Sequence, residues 1–217
     1  TGVQTCALPI FEAEHGLAAG IDLAPKGAVG TRGYEAFTKA FAARIKALRV
    51  GNGLDAAAEI GPLMHERAIT KVEAQVADAV DCGARIALGG RRHAAGRLFF
   101  EPTLLVDVPE SAAIMREETF GPILPVMKFD DIEEAIKLAN DCSMGLTASI
   151  WTKNTRLAKK IAPRIQSGVV TINDHLYTHG LSETPWGGFK ESGLGRTHSA
   201  LGLEEMTQPQ IINWDLI

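Results

Sequence analysis

The sequence predicts an α/β fold with a mainly parallel sheet and helices on both of its faces. Strand-like and helix-like segments alternate from residue 123 onward, which is typical of βαβ units. The strand segments are nearly continuous runs of Val, Ile and Leu, as expected when both faces of a sheet are covered. Apolar residues make up 46% and charged residues 22% of the 217 residues, close to the average for globular domains.

Two helices and two short strands are predicted before the alternating region. The first helix is indicated by five large apolar residues at helical spacing: Tyr34, Phe37, Phe41, Ile45 and Leu48. A second helix is predicted over Met64 to Asp81, with Gly83 as its C-cap. Its predicted buried stripe consists of Ile69, Val72, Val76 and Val80. ARIALGG and FFEPTLLVDV then indicate strands, whereas residues 1–32 show no periodicity and are predicted to be irregular.

The later elements follow in regular alternation. ILPVMKF predicts a strand, and Asp130 is expected to cap the helix DIEEAIKLAND, whose acidic first turn suits the helix dipole. LTASIWT predicts the next strand, and either Thr152 or Asn154 should cap the helix TRLAKKIAPRI. GVVTIN predicts a further strand, and PQIINWDLI predicts a final one. No regular structure is predicted over residues 174–202.

Composition argues against several classes of function. A net charge of −4 and a pI near 5.9 disfavour a nucleic-acid partner, because phosphate binding requires a basic face. No apolar run approaches the roughly 18 residues of a membrane span, so no membrane partner is expected. Three cysteines, at positions 6, 82 and 142, give no disulfide framework, and no secretory signal is recognisable. We therefore expect a soluble, cytoplasmic protein.

The stretch from residue 174 to 202 is the first candidate for a functional loop. It contains six glycines, and a long loop of this kind in a compact domain is commonly functional. Because glycine lets backbone N–H groups approach an anion, a phosphate cradle is one interpretation. The stretch lacks GxxxxGK[ST] and the strand–turn–helix order of a dinucleotide-binding loop, which favours the alternative of a packed loop between strands.

Several long motifs resemble those of the aldehyde dehydrogenase family. PWGGFKESGLGR, followed by GLEEMTQPQ, is similar to the C-terminal loop PFGGxKxSGxGR of that family, and REETFGPILPV is similar to its EExFGPV motif. GLTASIWTKN and SGVVTIN resemble its later strands in the same order, so the resemblance runs from about Tyr34 to Trp214. It implies the catalytic-domain half of the family's fold and an NAD(P)-dependent oxidoreductase.

The resemblance implies a cofactor site and a substrate pocket. Glu118 would accept hydrogen bonds from the nicotinamide-ribose hydroxyls of NAD or NADP, and Phe120 would pack beside the nicotinamide. Trp186, which replaces the usual Phe, would form a wall of the pocket for a small-molecule aldehyde and suits an apolar tail. As alternatives, Glu118 would be an exposed carboxylate at the start of a helix and Phe120 a core aromatic residue, and Trp186 would simply pack the loop. His175 and Tyr177 lie where family members vary their specificity, and they are predicted to line the same pocket.

No metal site is predicted. His175 and His179 would share a metal ion only if they lay on a helix, and they lack a convincing third ligand. Their presence in a loop is more simply explained by solvation or hydrogen bonding.

The catalytic nucleophile of the family is a cysteine in a GQxC motif. Its thiolate attacks the aldehyde carbonyl to form a thiohemiacetal, which hydride transfer converts to a thioester. Cys6, in the string VQTC, stands 28 positions before Tyr34, about twice the spacing expected from the family. We therefore expect that Cys6 is not the nucleophile.

These observations predict a division of the chain into three parts. They are an irregular segment over 1–32, a partial catalytic domain over 33–208, and an oligomerisation strand in 209–217 that joins a neighbouring subunit through Gln210 to Asp215. The family's general base and dinucleotide-binding domain find no counterpart here. The opening TGVQTCALPI also resembles a translated sequencing-adapter remnant, so the chain is expected to be an inactive fragment. Two alternatives stay open: an inactive binding or oligomerisation module, and a Cys6-dependent hydrolase or transferase that uses a loop histidine.

Overall fold

A seven-stranded sheet organises the part of the chain that the computed structural model describes, namely residues 9–11 (backbone only), 27–174 and 180–214. In chain order the strands are β1 (Pro9–Phe11), β2 (Gly27–Gly30), β3 (Arg85–Leu88), β4 (Thr103–Val106), β5 (Ile123–Phe129), β6 (Met144–Gly145), β7 (Thr147–Trp151), β8 (Val169–Ile172) and β9 (Phe189–Lys190). The α-helices are α1 (Tyr34–Lys46), α2 (Glu66–Asp81), α3 (Ile132–Asn140), α4 (Thr155–Ile161) and α5 (Ser199–Glu204).

The sheet is parallel except at one edge. Its strand order is β3-β4-β5-β2-β1-β7-β8, and β3 alone of these described strands runs antiparallel to its neighbour. Strands β6 and β9 form a separate antiparallel pair. All four residues of β4 are buried, as are all residues of β5 except Lys128. This burial on both faces explains the unbroken apolar runs, and the predicted α/β fold is confirmed.

The first two helices cover the sheet largely as the apolar spacing predicts. In α1, Tyr34 and Ile45 are buried, and Phe37 packs with Phe41 against the same cluster. In α2 the predicted stripe is wrong at its end, because Val80 is 42% exposed and Ala79 is fully buried in its place. A step of three after Val76 keeps the stripe on one face, since repeated steps of four drift around a helix of 3.6 residues per turn. None of the helices described is both long and apolar enough to cross a lipid bilayer.

The helix caps show one correct prediction and one error. Asn154 caps α4, as expected, by accepting a hydrogen bond from the Leu157 N–H at 3.0 Å. The cap of α3 is Asp131 and not Asp130, because the Asp131 carboxylate accepts the Glu134 N–H at 2.9 Å. Two adjacent aspartates offer the same chemistry, and only the backbone geometry distinguishes them.

The prediction that residues 1–32 are irregular is wrong at two strands, β1 and β2. Strand β2 lies between β1 and β5 near the centre of the sheet, and Ala28 and Val29 are fully buried. A four-residue strand bracketed by glycines is too short to show the alternation or the long apolar run by which strands are recognised. Its stability comes from backbone pairing on both sides.

The C-terminal region also departs from the predictions. Strand β9 lies within the stretch 174–202, for which no regular structure was predicted, and helix α5 begins in it at Ser199 and ends at Glu204. Conversely, residues 210–214 are exposed and form no strand. A strand requires a hydrogen-bonding neighbour, and the expected neighbour of Gln210 to Asp215 is another subunit. Pairing between subunits therefore stays a prediction, and Asp215 lies outside the described residues.

Tyr34 ties α1 to the sheet through its hydroxyl group. The hydroxyl donates a hydrogen bond to the Val126 carbonyl at 3.2 Å and accepts one from the Asp107 N–H at 2.7 Å. The Lys128 Nζ lies 4.6 Å from the centre of the Tyr34 ring. Burial is the main cause that raises the pKa of Tyr34 to about 12, so the hydroxyl keeps its proton and donates throughout the ordinary pH range.

Replacing Tyr34 with Phe should reduce the free energy of unfolding by about 1–3 kcal/mol, because the partly buried Asp107 N–H loses its acceptor. Urea denaturation of the purified chain measures this change. Thr70→Val is the matched control, since the exposed Thr70 hydroxyl bonds only to the Glu66 carbonyl of its own helix. An equal loss in both variants would contradict the role assigned to Tyr34.

Candidate functional site

Residues 113–122, here called the Glu118 segment, lead into the amino end of β5. The Glu118 side chain is half-buried, and its carboxylate receives no hydrogen bond from the described residues. Partial burial raises the pKa of Glu118 above its usual value, and the positive charge of Lys71 opposes this effect. Glu118 follows a 3-10 turn and begins no helix, so the alternative of an exposed helix-start carboxylate is wrong. An acceptor of this kind can bind hydroxyl groups of a ligand.

Phe120 projects from the same segment into solvent. Its side chain is 63% exposed, so it is not the core aromatic residue of the alternative interpretation. Its φ of 48° lies in the left-handed region, which is strained for a bulky residue. The next residue, Gly121, fits closely against α2, since a Cβ there would lie 2.6 Å from the Val72 Cγ2 atom. This close contact holds the turn in the conformation that exposes the Phe120 ring.

Helix α2 holds the Glu118 segment through polar side chains that the sequence interpretation missed. The Lys71 Nζ donates to the Glu118 backbone carbonyl at 2.5 Å, and the Asp78 carboxylate accepts the Ala113 N–H at 2.7 Å. Gln75 lies between these two residues on the helix and is 3% exposed, and its side-chain amide makes no hydrogen bond in the described part of the chain. The available signal was the spacing of Lys71, Gln75 and Asp78, which places a polar stripe beside the apolar one.

The loop that carries Trp186 is closed by its own backbone. The Trp186 N–H bonds to the Thr197 carbonyl at 2.8 Å, and the Thr197 N–H bonds to the Trp186 carbonyl at 2.7 Å. The Trp186 side chain is half-buried. We call residues 186–197 the WGG loop.

Glycines let the WGG loop pack directly against neighbouring backbone. A Cβ on Gly168, just before β8, would lie 1.7 Å from the Gly187 carbonyl oxygen, and one on Gly188 would lie 2.4 Å from the Ser192 Cβ. A Cβ on Gly145 would meet the Gln166 carbonyl oxygen at 2.3 Å. Contacts this short exclude any side chain. These glycines therefore serve packing, as the packed-loop interpretation predicts.

The two cations of the WGG loop bind backbone carbonyls. The Lys190 Nζ donates to the carbonyls of Asn140 and Cys142 at 2.7 and 2.8 Å. The Arg196 Nη1 donates to the carbonyls of Gly188 and Gly195 at 3.1 and 2.7 Å. The Arg196 guanidinium also lies over the Phe189 ring, 5.4 Å from its centre. Both cations therefore stabilise the shape of the loop.

Sheet topology places both candidate segments at the same end of the sheet, where the parallel strands begin. Glu118 and Phe120 precede β5, whereas the WGG loop contacts Gly145 and Gly168, which precede β7 and β8. Because these strands are parallel, their amino ends lie at the same end of the sheet. Strands β2 and β1 lie between β5 and β7, a separation of about 14 Å at the usual strand spacing.

His175 and Tyr177, which were predicted to line the pocket, lie outside the described residues. So do Cys6, which was not expected to be the nucleophile, and His179, for which no site role was predicted. The segments that lead into β1 and β2, at 1–8 and 12–26, are also outside the described residues. The roles of these residues, and those of Glu118, Phe120 and Trp186, therefore stay predictions.

Replacing Gly168 with Ala should reduce the free energy of unfolding by about 3 kcal/mol or more, since the new methyl group would overlap the Gly187 carbonyl oxygen. Chemical denaturation measures the loss. Gly61→Ala is the matched control, because a Cβ at Gly61 meets no atom within 4 Å. Equal stability of the two variants would show that the WGG loop does not pack on Gly168.

Replacing Glu118 with Gln should stabilise the chain at neutral pH and leave its stability unchanged in acid. The pKa of Glu118 is raised on folding, so its protonated form favours the folded state below the ordinary glutamic acid pKa. That contribution is lost as the pH rises through the raised pKa. Urea denaturation of both proteins between about pH 4 and pH 8 tests this. A stability difference that is constant across this range would contradict the assigned direction.

Comparison with known proteins identifies the family. The family model for the aldehyde dehydrogenase family matches residues 26–212. The glutarate-semialdehyde dehydrogenase of Pseudomonas aeruginosa is 42% identical over 172 residues, which cover 79% of this chain and 35% of that protein. The crystal structure of the succinate-semialdehyde dehydrogenase from Burkholderia pseudomallei superposes with a TM-score of 0.80 at 40% identity, covering 83% of this chain and 37% of that one.

Two further matches concern the cofactor. The betaine aldehyde dehydrogenase of Staphylococcus aureus, 36% identical with a TM-score of 0.79 over 89% of this chain and 41% of its own, was solved in complex with NAD⁺. A succinate semialdehyde dehydrogenase of Escherichia coli, 40% identical over 79% of this chain and 35% of its own length, is named for NADP⁺. The chain spans about a third of the length of these curated relatives. The extent of the family match and the shared fold lead to one conclusion: the chain belongs to the aldehyde dehydrogenase family.

Proposed function

We propose that this chain supplies part of the active site of an NAD(P)-dependent aldehyde dehydrogenase, which oxidises an aldehyde to a carboxylic acid. One observation carries the proposal: the half-buried Glu118 carboxylate accepts no hydrogen bond from the described residues, and the exposed Phe120 follows two residues later on a segment held by α2. A carboxylate acceptor and an exposed aromatic ring on one short segment fit the ribose and the nicotinamide ring of the cofactor.

Each residue of this segment has a defined task in the proposal. NAD or NADP, when bound, accepts the hydride that leaves the substrate. The Glu118 carboxylate accepts hydrogen bonds from two neighbouring ribose hydroxyls and so fixes the orientation of the sugar. Phe120 offers an apolar face to the flat ring, and Lys71 holds the Glu118 main chain in place. These residues position the cofactor and leave the chemistry of the carbonyl carbon to other groups.

Two observations bear on the substrate. Trp186 provides an apolar wall, which favours an aldehyde with an apolar tail. The relatives from Pseudomonas and Burkholderia are named for semialdehydes, whose tails carry a carboxylate. Both WGG-loop cations, Lys190 and Arg196, are bound to carbonyls, so a carboxylate tail would need a cation elsewhere. We therefore propose a small aldehyde as substrate. Relative kcat/KM for succinate semialdehyde, butyraldehyde and benzaldehyde separates the two tail types.

We also propose that the C-terminal residues mediate homo-oligomerisation. Ile211, Ile212 and Trp214 are 93%, 72% and 71% exposed, and adjacent apolar side chains of this size commonly mark an interface. The alternative of a Cys6-dependent hydrolase or transferase depends on residues outside the described ranges and stays a prediction.

In the whole protein of which this chain forms a part, replacing Glu118 with Gln should slow hydride transfer by about 10-fold to 100-fold and weaken cofactor binding much less, since the neutral amide orients the ribose poorly. Single-turnover absorbance at 340 nm reports hydride transfer, and fluorescence titration reports cofactor affinity. Glu117→Gln is the control, because Glu117 is the exposed neighbour. Unchanged hydride transfer in Glu118→Gln would remove Glu118 from the cofactor site.

A further inference from the structure

We propose that residues 140–145, here called the anchor turn, couple the Glu118 segment to the WGG loop. Arg116 is the positioning residue that connects the Glu118 segment to the anchor turn, and Lys190 is the one that connects the WGG loop to it. The coupling is a property of the chain itself. It rests on the proposed function only in the roles assigned to the two loops.

The WGG loop reaches the anchor turn through consecutive residues. The Lys190 Nζ binds the Asn140 and Cys142 carbonyls, which lie where α3 ends and leaves carbonyl groups without helical partners. The Glu191 N–H donates to the Ser143 carbonyl at 3.0 Å, and the Gly145 N–H donates to the Ser192 Oγ at 2.8 Å. Lys190 has a φ of 53°, a conformation that needs such contacts to persist.

The Glu118 segment reaches the same turn through Arg116. The Arg116 Nη2 lies 3.0 Å from the Asp141 Oδ2 and 3.6 Å from the Glu110 Oε1, and its Nε donates to the Glu110 carbonyl at 3.3 Å. Arg116 is two residues before Glu118, and Asp141 lies between the two residues whose carbonyls Lys190 binds. Three consecutive residues of the anchor turn, 140–142, therefore contact both the Glu118 segment and the WGG loop.

The Arg116 contact determines position more than stability. About half of the Arg116 side chain and 43% of the Asp141 side chain are exposed, and ion pairs of this exposure contribute about 1 kcal/mol or less. The carboxyl groups of Glu110 and Asp141 are close enough that their contact, together with burial, raises the pKa of Glu110. The Arg116 guanidinium provides the positive charge that lets these two acidic side chains stay together.

Hydrogen exchange of the 217-residue chain tests the coupling. Asp141→Asn removes the charge that holds Arg116, and Lys190→Met removes the donor to the two carbonyls. We expect each variant to raise exchange by about threefold or more in both loops. The reporters are the Glu117 amide, bonded to the Ala113 carbonyl, and the Glu191 amide, bonded to the Ser143 carbonyl.

Three controls make the result decisive. Lys159→Met, at an exposed lysine of α4, should change neither reporter, and Lys190→Arg should restore protection because it keeps a donor at the end of α3. Amides in the middle of α2 should keep their protection. Increased exchange confined to the loop that carries the substitution, or spread equally through α2, would overturn the proposal. Because no cofactor or substrate takes part, the outcome is independent of the proposed function.

Discussion

Direct backbone contact before β7 and β8 is the constraint on which the candidate site depends. The Gly187 carbonyl rests where a side chain of Gly168 would otherwise be, and the Gln166 carbonyl does the same at Gly145. Since Gly168 does not accept even a methyl group, the WGG loop, which carries Gly187, has little freedom to shift relative to β8. The half-buried Trp186 and the carbonyl contacts of Lys190 and Arg196 all follow from this placement.

The two candidate segments are held by different physical means. The WGG loop depends on close packing at glycines and on the hydrogen bonds from Lys190 and Arg196 to backbone carbonyls. The Glu118 segment depends on polar and charged contacts. Lys71 and Asp78 of α2 bind its backbone, and its own Arg116 pairs with the anchor turn. The candidate site therefore combines one segment held largely by close packing with one held largely by polar and charged contacts, which salt affects more strongly.

The sequence allowed much of the fold to be predicted, because long elements repeat their pattern. Strand β5 was predicted with its observed bounds, since seven residues buried almost throughout leave an unmistakable apolar run. Strand β2 was missed because its four residues begin and end with glycine and are too few to show a period. Asp130 was chosen over Asp131 because adjacent aspartates have equal capping chemistry.

The candidate site was less predictable than the fold. Glu118 and Trp186 were found only through similarity of whole motifs, since a single carboxylate or tryptophan has no distinguishing pattern. Lys71 was missed for a related reason. Its contact is with Glu118, 47 residues away in sequence, and a helical pattern contains no information about what packs against it.

The position of β2 and β1 in the sheet has a consequence for how the chain folds. Ile10 pairs beside Ile150, and Ala28 beside Met127, so the centre of the sheet is closed by contacts that span about 100 to 140 residues. Contacts this distant form slowly, because the entropy of a long loop must be lost before they stabilise anything. The local pairs β3–β4 and β7–β8 can form early, and until β2 and β1 arrive the inner edges of β5 and β7 stay open. Kinetic partitioning between closure and association with another chain is thus decided at the middle of the sheet.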